Sequence, residues 1–197
     1  MEPSPAQLTR HTQLAASLAG MSLDWLSQRV ATPSDLDLLF AGFQHLSATS
    51  RYRRFFTGID ELNAPLIEQL SDLSDHHQVA VIGFDVTRES EVGSREGFAV
   101  GVARYVRSSA DEQVAEVSIA VIDEYHRRGV GRQLLRSLIS VAKGNGVRSL
   151  IAYVLADNPA ALGLFESLGF LTVEHHEAAV VALQLSLRQS VGTSDEV

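Results

Sequence analysis

Residues 116–132 read EVSIAVIDEYHRRGVGR, and the order of elements inside this stretch decides the fold. A strand ending near Ile122 runs into a short loop, and the loop opens a helix through Gly129-Val130-Gly131. The first turn of a helix leaves backbone N–H groups without partners and carries a partial positive charge. Glycines at 129 and 131 remove side chains that would hold a phosphate away, and Arg127, Arg128 and Arg132 flank the same turn. Together these features suit a pyrophosphate. The spacing alone equally allows a plain strand–helix joint with no ligand. Two common phosphate motifs are excluded. A Walker loop needs Gly-Lys-Ser/Thr, and no lysine is available here; a dinucleotide fingerprint needs glycine where Leu134 stands.

Upstream of this joint, three strand-like runs, His77–Phe84, Phe98–Val106 and Val114–Ile122, are joined by polar links at 85–97 and 107–113. That is the pattern of an antiparallel meander. Further upstream, Trp25–Val30 reads as a first strand and Thr32-Pro33-Ser34 as a helix start, with Leu36, Leu39, Phe40 and Phe43 at helical spacing. Tyr52, Phe55 and Phe56 stand at i, i+3, i+4, and Leu62, Leu66 and Leu70 continue the helical character. Downstream, the helix begun at Val130 carries Leu134, Leu135, Leu138, Ile139 and Ala142 on its apolar stripe and stops at Gly144-Asn145-Gly146. Leu150–Leu155 reads as a buried strand, and Asn158-Pro159 as an N-cap with proline at the first helical position. Leu162, Phe165 and Leu168 form that helix's inward face until Gly169 ends it; Phe170–Glu174 and Ala179–Leu187 supply two last strands. The expected architecture is a mixed α/β sheet. Residues 1–22 and 189–197 are expected to be poorly ordered, leaving 23–188 as one domain.

A chain of 197 residues, 45% hydrophobic and 20% charged, can bury a sizeable core. The net charge of −8 argues against general nucleic-acid binding. With no cysteine, disulfides, thiolate zinc sites and Cys nucleophiles are impossible. No apolar stretch reaches the ~18 residues a spanning helix needs, and Leu14–Ala19 is too short and polar for a signal peptide. A soluble, cytoplasmic protein with no membrane partner is expected. Lys143 is the only lysine, the other 15 of the 16 basic residues being arginine, which suits bidentate phosphate contacts but also fits a general arginine habit. His76-His77 and His175-His176 lack a matching ligand set, so no metal is expected.

The stretch His126-Arg127-Arg128-Gly129-Val130-Gly131 resembles the Arg/Gln-x-x-Gly-x-Gly/Ala motif of the GNAT superfamily of acetyl-CoA-dependent N-acetyltransferases. Asn158 opening the next helix and the Leu168-Gly169-Phe170 ending match two further elements of that family, and the resemblance runs from about Arg29 to Leu187. It implies an α/β (α+β) fold with a mostly antiparallel sheet of about six to seven strands flanked by helices. It also implies acetyl-CoA as the acyl donor. The main chain of 126–132, that is His126, Arg127, Arg128, Gly129, Val130, Gly131 and Arg132, would hold the coenzyme pyrophosphate. Ile119, Ala120 and Val121 would pair with the pantetheine arm as a strand does, and Asn158 would lie near the thiol end while also capping its helix. The motif's first position is His126 rather than Gln or Arg, with little expected effect on affinity. Phe165 stands where many relatives place a tyrosine that protonates the leaving thiolate. A thiolate leaves readily near neutral pH.

An amine acceptor must lose a proton before it attacks. Strand alternation puts Val117, Ile119 and Val121 on one face and Glu116, Ser118 and Ala120 on the other, where small neighbours leave room for a thin substrate arm. A carboxylate there is expected to be partly desolvated and so a better base; a solvated or Arg-paired sheet Glu is the other reading. The resemblance favours the base, because Ala115-Glu116-Val117 matches the Ala-Glu-hydrophobic triplet of protein-lysine acetyltransferases. Ser47–Phe56, SATSRYRRFF, reads as an amphipathic helix burying Tyr52, Phe55 and Phe56 with arginines on its flanks. It resembles a Ser-x-x-Ser-x-Tyr-x-Arg-Phe-Phe element of bacterial Pat-type protein lysine acetyltransferases. The expected partner is an acceptor protein with a reactive lysine, its cationic amine suited to an acidic chain. A small-molecule amine or antibiotic N-acetyltransferase and a non-catalytic acyl-CoA sensor are the alternatives. The oligomeric state is not legible.

Overall fold

The computed structural model describes residues 23–62, 67, 77–176 and 179–187. Within them the chain runs β1 (Leu26–Val30), α1 (Leu36–Gln44), α2 (Ala48–Phe55), β2 (Gln78–Asp85), β3 (Phe98–Arg107) and β4 (Val114–Val121). It continues through α3 (Val130–Gly144), β5 (Ser149–Leu155), α4 (Pro159–Glu166), β6 (Leu171–His176) and β7 (Val180–Ser186). The helical character expected at Leu66 and Leu70, the His76 reading and the two expected terminal tails fall outside the described residues.

Polar hairpin links join β2 to β3 and β3 to β4, while β1 reaches β2 through α1 and α2; all three pairs are antiparallel. The chain then crosses over through α3, and β5 joins β4 in parallel. A crossover helix is what a parallel neighbour requires. The seven strands lie in the order β1-β2-β3-β4-β5-β7-β6, so the last strand inserts beside β5 and pushes β6 to the edge. The mixed, mostly antiparallel sheet flanked by helices is thus as expected, at the upper end of the expected strand number.

Alternation along the strands builds two cores. On one face, Val81, Ala103, Tyr105 and Val117 are buried with Leu134, Leu135 and Leu138 of α3. Gly83 and Gly101 let α3 sit close: a Cβ at either would come within 3.2 Å of a Leu134 methyl. On the other face, Ala80, Ile82 and Phe84 pack with Leu38 of α1. Asp35, at the start of α1, is buried yet paired, accepting from Arg29 Nη1 and Nη2 at 2.6 and 2.7 Å and from the Thr32 N–H and hydroxyl.

The structure corrects the reading of α2. None of its residues is fully buried; Tyr52 is 46% exposed and Phe56 40%. The helix ends at Phe55, and Phe56 takes a left-handed conformation, φ 57°, and lines the main cleft. Phe55 alone of the three packs against the core, beside Phe43. The guanidinium of Arg54 lies inward where a flanking position was expected.

Candidate functional site

The parallel pairing of β4 with β5 covers only Val114–Glu116 against Ser149–Ile151. Beyond Glu116 the strands part, although β4 runs on to Val121 and β5 to Leu155. The β3–β4 ladder shows which backbone groups this fork leaves free. Ser108 N–H donates to Val114 O and Ile122 N–H to Val100 O, so even-numbered residues of β4 direct their main-chain groups at β3. Ile119 and Val121 therefore point theirs into the fork. Ala120 differs from the expectation: its main chain faces Val102 on β3, and only its methyl reaches the cleft. His126 bends back so that its Nε2 lies 2.8 Å from Val121 O. A carbonyl can only accept, so Nε2 is the protonated nitrogen.

The loop at the end of the fork is an amide concavity. Arg127 (φ 58°) and Gly129 (φ 87°) both adopt left-handed backbone, a conformation that turns successive N–H groups to one side. The first intrahelical bond of α3 runs from Gln133 N–H to Gly129 O, which leaves the amides of Val130, Gly131 and Arg132 without intrahelical partners. Val130 is buried and offers only its amide. At Gly131 a Cβ would come 3.0 Å from Leu164 Cδ2, so this glycine also allows α4 to approach α3. Arg127 and Arg132 line the cleft. The Arg128 guanidinium does not; it lies over the Trp25 and Tyr125 rings, 4.6 Å from each centroid. Asn158 caps α4 as expected, its Oδ1 accepting from Ala161 N–H at 3.3 Å. Asn158 also lines the cleft.

One cleft of about 720 Å³ joins the amide loop to Glu116, Ser118 and Ala120, with Tyr153, Asn158 and Phe165 along its wall. Glu116 is exposed to it rather than partly desolvated, and no described residue hydrogen-bonds or pairs with the carboxylate. Phe165 is 3% exposed, edge-on to Phe170 with centroids 5.0 Å apart. Tyr153 was missed by the sequence reading. It follows Ile151 by two positions on β5, so strand alternation puts it on the face that Glu116 shares.

Helix α2 roofs this cleft, and Asp123 holds it there. The carboxylate accepts from the Ser47 N–H and hydroxyl at 3.0 and 2.7 Å and from the Ser50 hydroxyl at 3.0 Å. Burial raises the Asp123 proton affinity, but these hydrogen bonds outweigh it and keep the carboxyl below its usual range. The Ser-x-x-Ser spacing is thereby explained: both hydroxyls meet one acid from the loop after β4. The clamp brings Arg53 and Arg54 to the cleft, so the lining beside Glu116 is basic although the chain is acidic. Among the described residues, no group of three or more His, Cys, Asp or Glu side chains can hold a metal ion. No described helix is long and apolar enough to cross a membrane.

Comparison with known proteins agrees with this geometry. The sequence is 30% identical over 160 residues to acetyltransferase Pat of Mycolicibacterium smegmatis, covering 80% of this chain and 45% of that one. It is 32% identical over 126 residues to acetyltransferase PA5475 of Pseudomonas aeruginosa, 64% of either chain. The chain thus spans about half to two thirds of these relatives. The GNAT domain of S. lividans PAT shares the fold with a TM-score of 0.70 at 23% identity, covering 84% of this chain and 99% of that domain. The model of the acetyltransferase (GNAT) family matches residues 48–170, a span that holds the forked strands, the amide loop and α4, and this chain belongs to that family of acetyl-CoA-dependent N-acetyltransferases.

Proposed function

We propose that this chain transfers the acetyl group of acetyl-CoA to lysine side chains of proteins, with Glu116 as general base. The carrying observation is the fork: the free edge of β4, the amide loop and the Glu116 carboxylate all open on one cleft. The site fits the donor. Amides of residues 126–132 meet the pyrophosphate, and the Val121 N–H and the Ile119 carbonyl, both directed into the fork, offer strand-like partners to the pantetheine amides. Bound acetyl-CoA supplies an activated thioester. The Ile119 N–H, directed into the fork and nearer Glu116 than Val121 is, stabilises negative charge on the acyl oxygen; Glu116, directly or through water, takes the amine proton, and coenzyme A leaves as its thiolate. The Asn158 side chain faces the thiol end.

The protein acceptor is supported by similarity to Pat over 80% of this chain and by the Ser-x-x-Ser-x-Tyr-x-Arg-Phe-Phe resemblance of residues 47–56. A thiol-release assay with acetyl-CoA, run against lysine-bearing proteins and against small amines, tests the reading. Turnover on proteins supports it, and turnover confined to small amines overturns it. Acetyl-CoA binding with no turnover on either would instead make the chain a sensor.

A further inference from the structure

Arg54 carries a charge that no described residue pairs with. Its guanidinium makes no hydrogen bond or ion pair with any described residue; its one ring contact is with Phe55, 4.8 Å from the centroid. It borders two spaces at once, the main cleft and a smaller apolar cavity of about 70 Å³ walled by Phe43, Leu46, Ile82 and Val102, where it is the only charged residue among the described lining. Burial pushes its pKa down to about 10; the like charge of Arg104 adds to this and Glu116 opposes it. A guanidinium held in such surroundings is costly unless an anion meets it.

The neighbouring acids are not that anion. Asp123 is saturated by Ser47 and Ser50, and Glu116 forms no ion pair with Arg54. Arg53 stands on the same side, its Nη2 3.5 Å from Asp157 O, and Arg104 is buried behind, opposite Ser118. Among the described residues close to Glu116, therefore, cations outnumber carboxylates. A bare ammonium arriving at Glu116 is opposed by Arg54, whereas an amine with a carboxylate a few bonds away satisfies both. Local charge, not the chain's net −8, decides which acceptor fits.

We propose that Arg54 anchors a carboxylate of the acceptor, so that the preferred substrate is an amine with an acidic group beside it. Resting on the protein-lysine reading, this means a lysine flanked by Asp or Glu. The test uses two peptides of equal length whose central lysine is flanked by Asp in one and Asn in the other, with coenzyme A release as the readout. The Asp peptide is expected to show at least a tenfold higher kcat/KM, roughly the worth of one charge-assisted hydrogen bond. Arg54→Gln should bring the two values together, Arg54→Lys should keep part of the difference, and Arg54→Glu should favour an Arg-flanked peptide. Melting curves of the variants show that they fold. A parallel arm compares free lysine with cadaverine, which lacks the carboxylate. Discrimination in that arm with no turnover of peptides overturns the protein reading and retains the anchor. Equal rates in both arms, or a difference that persists in Arg54→Gln, overturn the anchor.

Discussion

Glu116 is paired with Ile151, and that pair is the last one β4 and β5 make before they part. The carboxylate thus stands at the point where a regular sheet turns into a binding slot. Glu116→Gln keeps the side-chain volume and removes the proposed base. It should lower kcat at least ~10²-fold, within the range of general-base losses, while the dissociation constant for acetyl-CoA stays near the unmodified value. Steady-state kinetics beside calorimetry checks both.

Gly129 sits at φ 87°, with the nearest atom to an added Cβ 3.6 Å away at Leu23. Gly129→Ala meets no clash, so its effect isolates backbone strain of about 1–2 kcal/mol. The loop should relax out of its left-handed conformation and acetyl-CoA affinity should fall about tenfold or more. Calorimetry with coenzyme A checks this, with Arg132→Ala as a comparison that removes charge but not backbone shape.

Asp123→Ala cuts three hydrogen bonds to Ser47 and Ser50 and frees α2 from the loop after β4. The expected cost is about 1–3 kcal/mol of stability. The KM for the acceptor should rise far more than that for acetyl-CoA, because α2 carries Arg53 and Arg54 while the amide loop is separate. Thermal melts and bisubstrate kinetics check the split.

Asp35, Asp85 and Asp123 all have carboxyl groups held below the usual 3.8 in the folded chain. Burial alone would raise each. Hydrogen bonds to Arg29 and Thr32, to Thr87 and Tyr125, and to Ser47 and Ser50 outweigh it. A depressed folded value means stability is fully present above the unfolded value and is lost as pH falls through the folded one. Urea midpoints should therefore be flat above about pH 5 and drop steeply below pH 4. Asp85→Asn should flatten that drop.

The period of apolar residues determined nearly every element. Val79, Val81 and Gly83 alternate with Ala80 and Ile82, and Leu134, Leu138 and Leu135 fall on one helical face, because local geometry fixes where side chains i, i+2 and i+4 point. The glycines of the anion loop and the Asn158 cap were legible for the same reason: their backbone demands are local. Tertiary structure alone decided the rest. The place of β7 between β5 and β6 depends on which edge is free after α4. The phase of the β3–β4 ladder gave the fork to Ile119 and Val121 and withheld Ala120. In α2 the arginines and aromatics alternate too closely for period to say which faces inward. Asp123 settled it from 76 residues away by gripping Ser47, which turned Arg54 to the cleft and Tyr52 to solvent. Sequence spacing encodes contacts within an element, and contacts between elements exist only once the sheet has brought them together.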